Sequence, residues 1–251
     1  MKKDKLKTSP NVVNCTNLSN RLTYFIIEDI ISYDSPKDRA RMYERWLLIA
    51  EYCKLNKDYN DLFAIVSALN HYIITGLKQT LKYVSSKSIS TFKQISEFCT
   101  FEGNYKNIRE DINICNKRGI IFIPYLGTLL KDINFFEESS KYINENGCIN
   151  FEKIEKIAQL FEINFKFKKV EPRKKKVINE LEFFDDLEDL KEEELEKIAN
   201  NIEPEFKMEK EVEKRLTNID RKYFERYKKS EVINMRGSYM QERKTVVGLP
   251  Y

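Results

Sequence analysis

The sequence predicts an all-α fold carrying a helical hairpin, on three observations. Apolar residues recur at spacings of three and four through most of the chain. Gly and Pro are few, 7 and 6 in 251 residues, while Leu, Ile, Lys and Glu dominate, and no strand-rich segment competes. Third, Pro124 and Gly127 break what precedes, an apolar helix follows through Leu129, Leu130, Ile133 and Phe136, and two carboxylates, Glu137 and Glu138, stand just before a polar turn. A second helical run begins at Ile149-Asn150-Phe151.

Composition narrows the function classes. A hydrophobic content of 41% is enough for one sizeable core, or for a domain plus an appendage. The net charge of +4 is the small difference of 44 basic and 40 acidic side chains, unlike the concentrated positive field of a nucleic-acid binder. No apolar run approaches the ~18 residues of a membrane span, and Met1-Lys2-Lys3-Asp4 lacks a secretory hydrophobic stretch, so a cytoplasmic protein is expected. Cys15, Cys53, Cys99, Cys115 and Cys148 are odd in number and never spaced as Cys-x-x-Cys, which fits reduced thiols acting as small buried apolar residues.

The elements follow in order. Ser9-Pro10 ends a basic leader, residues 1–12, and Leu18, Leu22, Phe25, Ile26 and Ile30 predict an amphipathic helix over about 17–33. Ser35-Pro36-Lys37-Asp38 is a start signal for a long helix through Trp46 and Ala50. After the polar break at 56–60, residues 62–70 are apolar on nearly every side and belong in a core. Gly76 and the serine-rich stretch 85–90 predict turns ahead of helices over 92–98 and 105–114.

In the hairpin, Phe151, Ile154, Ile157 or Ala158, and Phe161 form one stripe expected to zip against Leu126, Leu130 and Ile133, with Leu129 and Phe136 beside them. Asn150 is the expected N-cap, Glu152 sits in the favourable first turn, and the tip at 139–147 stays outside. Residues 168–176 form a basic connector, read as a solvated charge run, with weak contact to anionic lipid as the lesser reading. An acid-rich segment then closes on Ile202-Glu203-Pro204, and Met208, Val212, Leu216, Ile219, Tyr223 and Tyr227 predict one further amphipathic helix in a C-terminal region, residues 205–251.

Four landmarks resemble the catalytic domain of the Ras-type guanine nucleotide exchange factors, in that family's order. They are Trp46-Leu47-Leu48-Ile49-Ala50-Glu51-Tyr52-Cys53; Asp58-Tyr59-Asn60-Asp61-Leu62 leading into Ile65-Val66-Ser67-Ala68-Leu69-Asn70; Asn104-Tyr105-Lys106-Asn107-Ile108-Arg109; and the hairpin, with Pro124-Tyr125-Leu126-Gly127, Leu130-Lys131-Asp132-Ile133 and Asn150-Phe151-Glu152-Lys153. The resemblance implies an irregular orthogonal helical bundle with a protruding antiparallel hairpin over residues 13–204, entered past the family's first helices.

It also implies a partner, a Ras-family small GTPase in its GDP-bound and nucleotide-free states, with no cofactor or metal and no covalent chemistry. Asn70 would act from the exposed edge of the core helix, with Phe63, Ser67 and Tyr105 against the GTPase's second switch; Phe63 reads equally as a core side chain. Glu138, with Asn134 towards the magnesium position, would act from the hairpin at the first switch, flanked by Lys131 and Glu137; the bland reading of Glu137 and Glu138 is a solvated helix face. A carboxylate suits that task because it competes for the cationic groups that hold phosphate. At ~4 Å and an effective dielectric of ~20 such a charge is worth roughly 4 kcal/mol. Displacement of the switch must supply the rest, since a nucleotide held near picomolar affinity is bound by about 16 kcal/mol.

Lys131, Gly76, Leu81 and Asn134 depart from the family pattern, which puts activity rather than fold in question. Two other readings therefore stand beside exchange: a catalytically silent relative that binds a GTPase as a scaffold, and a helical membrane-surface protein acting through Arg173 to Lys176. His71 is the only histidine and reads as a surface or lining residue.

Overall fold

The computed structural model describes residues 5–144, 146–165 and 191–203, all within the first of two compact units, Met1–Phe206. The second unit, Lys207–Tyr251, lies outside the described residues, and with it the expected tail helix; so do the connector at 168–176 and the acidic stretch at 183–187. Among the described residues there are eleven α-helices and no β-ladder, only isolated bridges pairing Asp58 with Ile123 and Ile143 with Ile149. The all-α expectation is met.

A short helix α1, Lys5–Thr8, precedes α2, Pro10–Ile31, which starts earlier than its apolar stripe suggested. Pro10 accounts for this: at the first helical position its missing N–H costs nothing and its φ is already helical. Helix α3, Pro36–Leu55, starts where expected, with the Ser35 hydroxyl accepting from the Lys37 amide at 3.2 Å. Helix α4, Tyr59–Leu69, is capped by the Asp58 carboxylate, which accepts from the Asp61 amide at 3.1 Å. Two short helices follow, α5 over Tyr72–Gly76 and α6 over Lys78–Leu81.

The serine-rich stretch is not a turn. Ser85 caps α7, Ser86–Phe98, by accepting from the Ser88 amide at 3.2 Å, so the serines that read as breakers open a helix instead. Helix α8, Glu102–Arg118, contains a left-handed run at Gly103, Asn104 and Tyr105, with φ of 60°, 59° and 61°, and ends on left-handed Gly119. The hairpin is α9, Leu126–Ser139, and α10, Phe151–Phe165; α11, Glu192–Ile202, closes the described chain.

Helices α2, α3 and α4 pack on one another, α6 and α7 pack on α3, and α11 lies across α2 and α5. Ile26, Ile27 and Ile30 meet Leu47 and Ala50 and Leu62, Ile65, Ala68 and Leu69, all buried. Each large aliphatic side chain so placed contributes about 1.5–3 kcal/mol. Helix α4 gives up all but one edge to this core: Tyr59, Leu62, Ala64, Ile65, Val66, Ala68 and Leu69 are buried.

One ionic cluster sits inside the core. Arg39 is 0% exposed and donates to Glu203 at 2.9 Å, to the Thr80 hydroxyl at 2.8 Å and to the carbonyls of Tyr33 and Asp34 at 2.7 Å. The Glu203 carboxylate also receives the amides of Gln79 and Thr80 at 2.9 and 3.0 Å, so it caps α6 while neutralising the arginine. The expected helix closing on Glu203 is thereby tied to the start of α3.

Two further expectations need correction. Cys99 and Cys115 are buried, but Cys15 and Cys148 are exposed, so burial does not describe all five free thiols. The stripe Phe151, Ile154, Phe161 does not zip against α9; these side chains are 72%, 40% and 43% exposed. The better-covered line of α10 is Lys153, Ile157, Leu160 and Asn164, one residue round the helix. The cause is Lys153, whose ammonium donates to the carbonyls of Glu137 and Ser140 at 3.0 and 2.8 Å and thereby rotates α10. Ile157 keeps its expected place.

Candidate functional site

The site is built from two elements that the chain fastens together. Ile123 pairs with the α3–α4 turn: its amide donates to the Lys57 carbonyl at 2.9 Å and its carbonyl accepts from the Tyr59 amide at 3.0 Å. The hairpin therefore leaves the body beside the N-terminus of α4. Lys57 and the Tyr59 hydroxyl both reach Asp111, each at 2.8 Å, which brings α8 to the same point.

At the hairpin's entry, Tyr125 folds back over Gly127. A Cβ on that glycine would stand 2.5 Å from the Tyr125 ring, so any side chain there would have to displace the ring. The Tyr125 ring lies flat on Phe63, with centroids 3.8 Å apart and planes inclined by 7°. Tyr105 meets both rings edge-on, at 5.8 Å from Phe63 and 5.9 Å from Tyr125, and Phe101 at 5.4 Å. Its left-handed backbone aims it there. Lys131 completes the group, its ammonium 4.2 Å from the centroid of Phe101 and 5.5 Å from that of Tyr105.

The structure thus brings Phe63, Tyr105 and Lys131 into one aromatic cluster. Ser67 and Asn70 stand exposed on the same edge of α4, four and seven residues beyond Phe63, and neither makes a side-chain hydrogen bond among the described residues. Asn70 stands on the exposed edge where it was expected, as the C-cap of α4, with its backbone N–H on the Val66 carbonyl.

Helix α9 is buried only at its base. Thr128, Leu129 and Asp132 are covered, whereas Asn134, Glu137 and Glu138 are exposed. Glu137 is engaged within the hairpin by the Tyr142 hydroxyl and, at 3.8 Å, by Lys153. Glu138 makes no hydrogen bond or ion pair among the described residues. Asn150 caps α10 as expected, accepting from the Lys153 amide at 3.1 Å, and its own amide donates to the Lys141 carbonyl at 3.1 Å. The aromatic cluster, together with the Ile123 backbone pairing, links the α4 edge to the hairpin that carries Asn134 and Glu138.

Sequence reasoning passed over Arg109, Asp132, Phe101 and Tyr125 as site residues. Arg109 and Asp132 both lie in the quoted landmarks, but 23 positions of separation conceal that they pair. His71 caps α5, its Nδ1 accepting from the Ile73 amide at 3.5 Å and its Nε2 3.7 Å from Glu192; burial lowers its pKa against the opposing pull of that carboxylate. Among the described residues no group of three or more His, Cys, Asp or Glu could hold a metal, and no helix is long and apolar enough to cross a membrane.

The sequence is similar to known proteins. The sequence is 31% identical over 160 residues to Ras-specific guanine nucleotide-releasing factor 2 of Mus musculus, covering 64% of this chain and 13% of that protein. It is 30% identical over 179 residues to Ras-specific guanine nucleotide-releasing factor 1 of Rattus norvegicus, covering 70% and 14%. With Ras guanine nucleotide exchange factor M of Dictyostelium discoideum the identity is 28% over 160 residues, covering 63% and 17%. The chain therefore spans less than a fifth of the length of these curated relatives. The RasGEF domain model matches residues 1–155, which hold α1 to α9, the aromatic cluster and the first turn of α10. By that match, the chain belongs to the RasGEF domain family.

Proposed function

We propose that this chain is a guanine nucleotide exchange module for a Ras-family small GTPase, which it frees of GDP and holds nucleotide-free until GTP enters. The observation that carries the reading is the arrangement of α9: anchored in the body through its first two turns, covered beyond them only in part, with Glu138 exposed and uncommitted at its outer end. Family membership and the names of the relatives support it.

In this reading the exposed edge of α4, with Phe63, Ser67 and Asn70, and the Tyr105 ring receive the second switch. The hairpin enters at the first switch, where Asn134 approaches the magnesium position and Glu138 competes with phosphate for cationic partners. Lys131 and Glu137 line the limb rather than act at its end, since each is already engaged by neighbours. Exchange then needs no bond made or broken in the protein; the work is differential binding of the nucleotide-free GTPase. The protein works in the cytoplasm, joining its GTPase at the membrane, and any weak contact with anionic lipid belongs to the connector.

The engagement of Lys131, at a position where the family usually has threonine, favours one second reading, a silent scaffold that binds a GTPase without accelerating release. The experiment is release of a fluorescent GDP analogue from a panel of Ras-family GTPases, with binding measured in parallel. Acceleration that Glu138→Ala and Asn70→Ala reduce supports exchange. Binding without acceleration selects the scaffold.

A further inference from the structure

Helix α9 leaves the body as a lever. Beyond its covered first turns it has no buried residue, so whatever grips it at Asp132 sets where its outer end lies. That grip is specific. The Arg109 guanidinium takes the Asp132 carboxylate in a two-pronged contact, at 2.7 and 2.9 Å, and Asp132 is almost wholly buried while Arg109 keeps partial access to water. The third donor of Arg109, its Nε, goes to the Asn104 carbonyl at 2.7 Å, inside the left-handed run that aims Tyr105. One side chain on α8 therefore braces both the limb and the aromatic surface beside it.

We propose that Arg109 and Asp132 are positioning residues that fix the angle of the hairpin relative to the α4 edge; the inference rests on the exchange reading for its functional part. Planar guanidinium against planar carboxylate restricts rotation as well as distance, which a single hydrogen bond or a lysine does not. The leverage is considerable. Glu138 lies six residues beyond Asp132, about 9 Å along the helix axis, so a tilt of roughly 10° moves its carboxylate by about 1.5 Å. Misplacement on that scale can cost on the order of a hundredfold in a rate that depends on placement.

Neither residue touches the GTPase in this account, so the role shows as a change in geometry and in maximal rate, with binding largely preserved. Cys15 and Cys148 offer the means to read the geometry: both thiols are exposed, Cys148 in the hairpin tip and Cys15 on α2. Of the others, Cys99 and Cys115 are buried, and Cys53 is half-buried with its thiol pushed up to about 12 by burial and by Asp58 and Asp61, which slows its labelling relative to the two exposed thiols.

The test uses the full chain with nitroxide labels on Cys15 and Cys148, pulsed dipolar spectroscopy for the distance between them, and release of the fluorescent GDP analogue. The parent should show one narrow distance population. Asp132→Asn, which keeps the shape, and Arg109→Lys, which keeps the charge, should each broaden or shift it, lower the maximal release rate about tenfold to a hundredfold, and change the half-saturating GTPase concentration less than about threefold. An unchanged distance distribution in both variants overturns the inference, and so does a broadened one with the parent rate. Should the parent accelerate no GTPase in the panel, the exchange reading fails by itself, and the distance measurement still decides whether this pair sets the angle.

Discussion

The Phe63 ring lies against Tyr125 at 3.8 Å with the planes nearly parallel, so the core helix and the entry to the hairpin share a single aromatic surface. Phe63 is half-buried: it packs on its inner side and leaves its outer edge open. Losing it removes both.

Phe63→Ala should destabilise the fold by about 2–3 kcal/mol, less than a fully buried phenylalanine because part of the side chain is already exposed. Gly127→Ala should act on the same contact from the other side by driving the Tyr125 ring off Phe63, since the new methyl would overlap it. Denaturant midpoints and near-ultraviolet circular dichroism of the two variants test this. A Gly127→Ala protein with parent spectrum and midpoint would show that the stack is not required.

The cap of α4 carries an unusual pH dependence. Burial, then the neighbouring Asp61 charge, push the Asp58 carboxyl up to about 6. A carboxyl whose folded pKa is raised disfavours its own ionised form in the native state. Its destabilising contribution is therefore complete above about pH 6, declines as pH falls, and is gone near pH 4. Asparagine caps a helix as well as aspartate does and carries no charge, so Asp58→Asn should stabilise by about 1–2 kcal/mol at pH 7.5 and by nothing near pH 4. A gain independent of pH would count against the mechanism.

Glu203 slopes the other way. Burial alone would raise its pKa, but the bonds from Thr80, Arg39 and the Gln79 and Thr80 amides outweigh it and hold the carboxyl below the usual range. A depressed carboxyl contributes stability that is complete at neutral pH and is lost only as pH falls through its folded value. Glu203→Gln leaves Arg39 buried without a counter-charge and should cost about 3–5 kcal/mol in urea unfolding at pH 7. A loss below about 1 kcal/mol would mean that Arg39 finds other compensation.

What could be read from the sequence divides along a physical line. Local signals were legible: the Ser35-Pro36 start, the Asn150 cap, the all-round apolar α4 with Phe63, Ser67 and Asn70 along one side, and the paired helices of the hairpin. Pairings between distant residues were not, because spacing carries no information about which charge meets which; Arg39 with Glu203 and Arg109 with Asp132 are of this kind. The hairpin interface was misjudged for a related reason. Apolar periodicity placed Phe151 and Phe161 inward, but a buried lysine satisfied by two carbonyls outweighed it and turned the helix. The serine run of α7 was missed because serine favours caps as well as turns, and only the residues after it distinguish the two.

The most direct measurement of the central claim is the rate at which this protein releases a fluorescent GDP analogue from Ras-family GTPases. The account predicts acceleration by at least one of them, reduced about tenfold or more by Glu138→Ala, with the variant's melting temperature unchanged because that side chain supports nothing in the fold. Acceleration of the same size by the parent and by Glu138→Ala, or none by the folded parent across the panel, would contradict it.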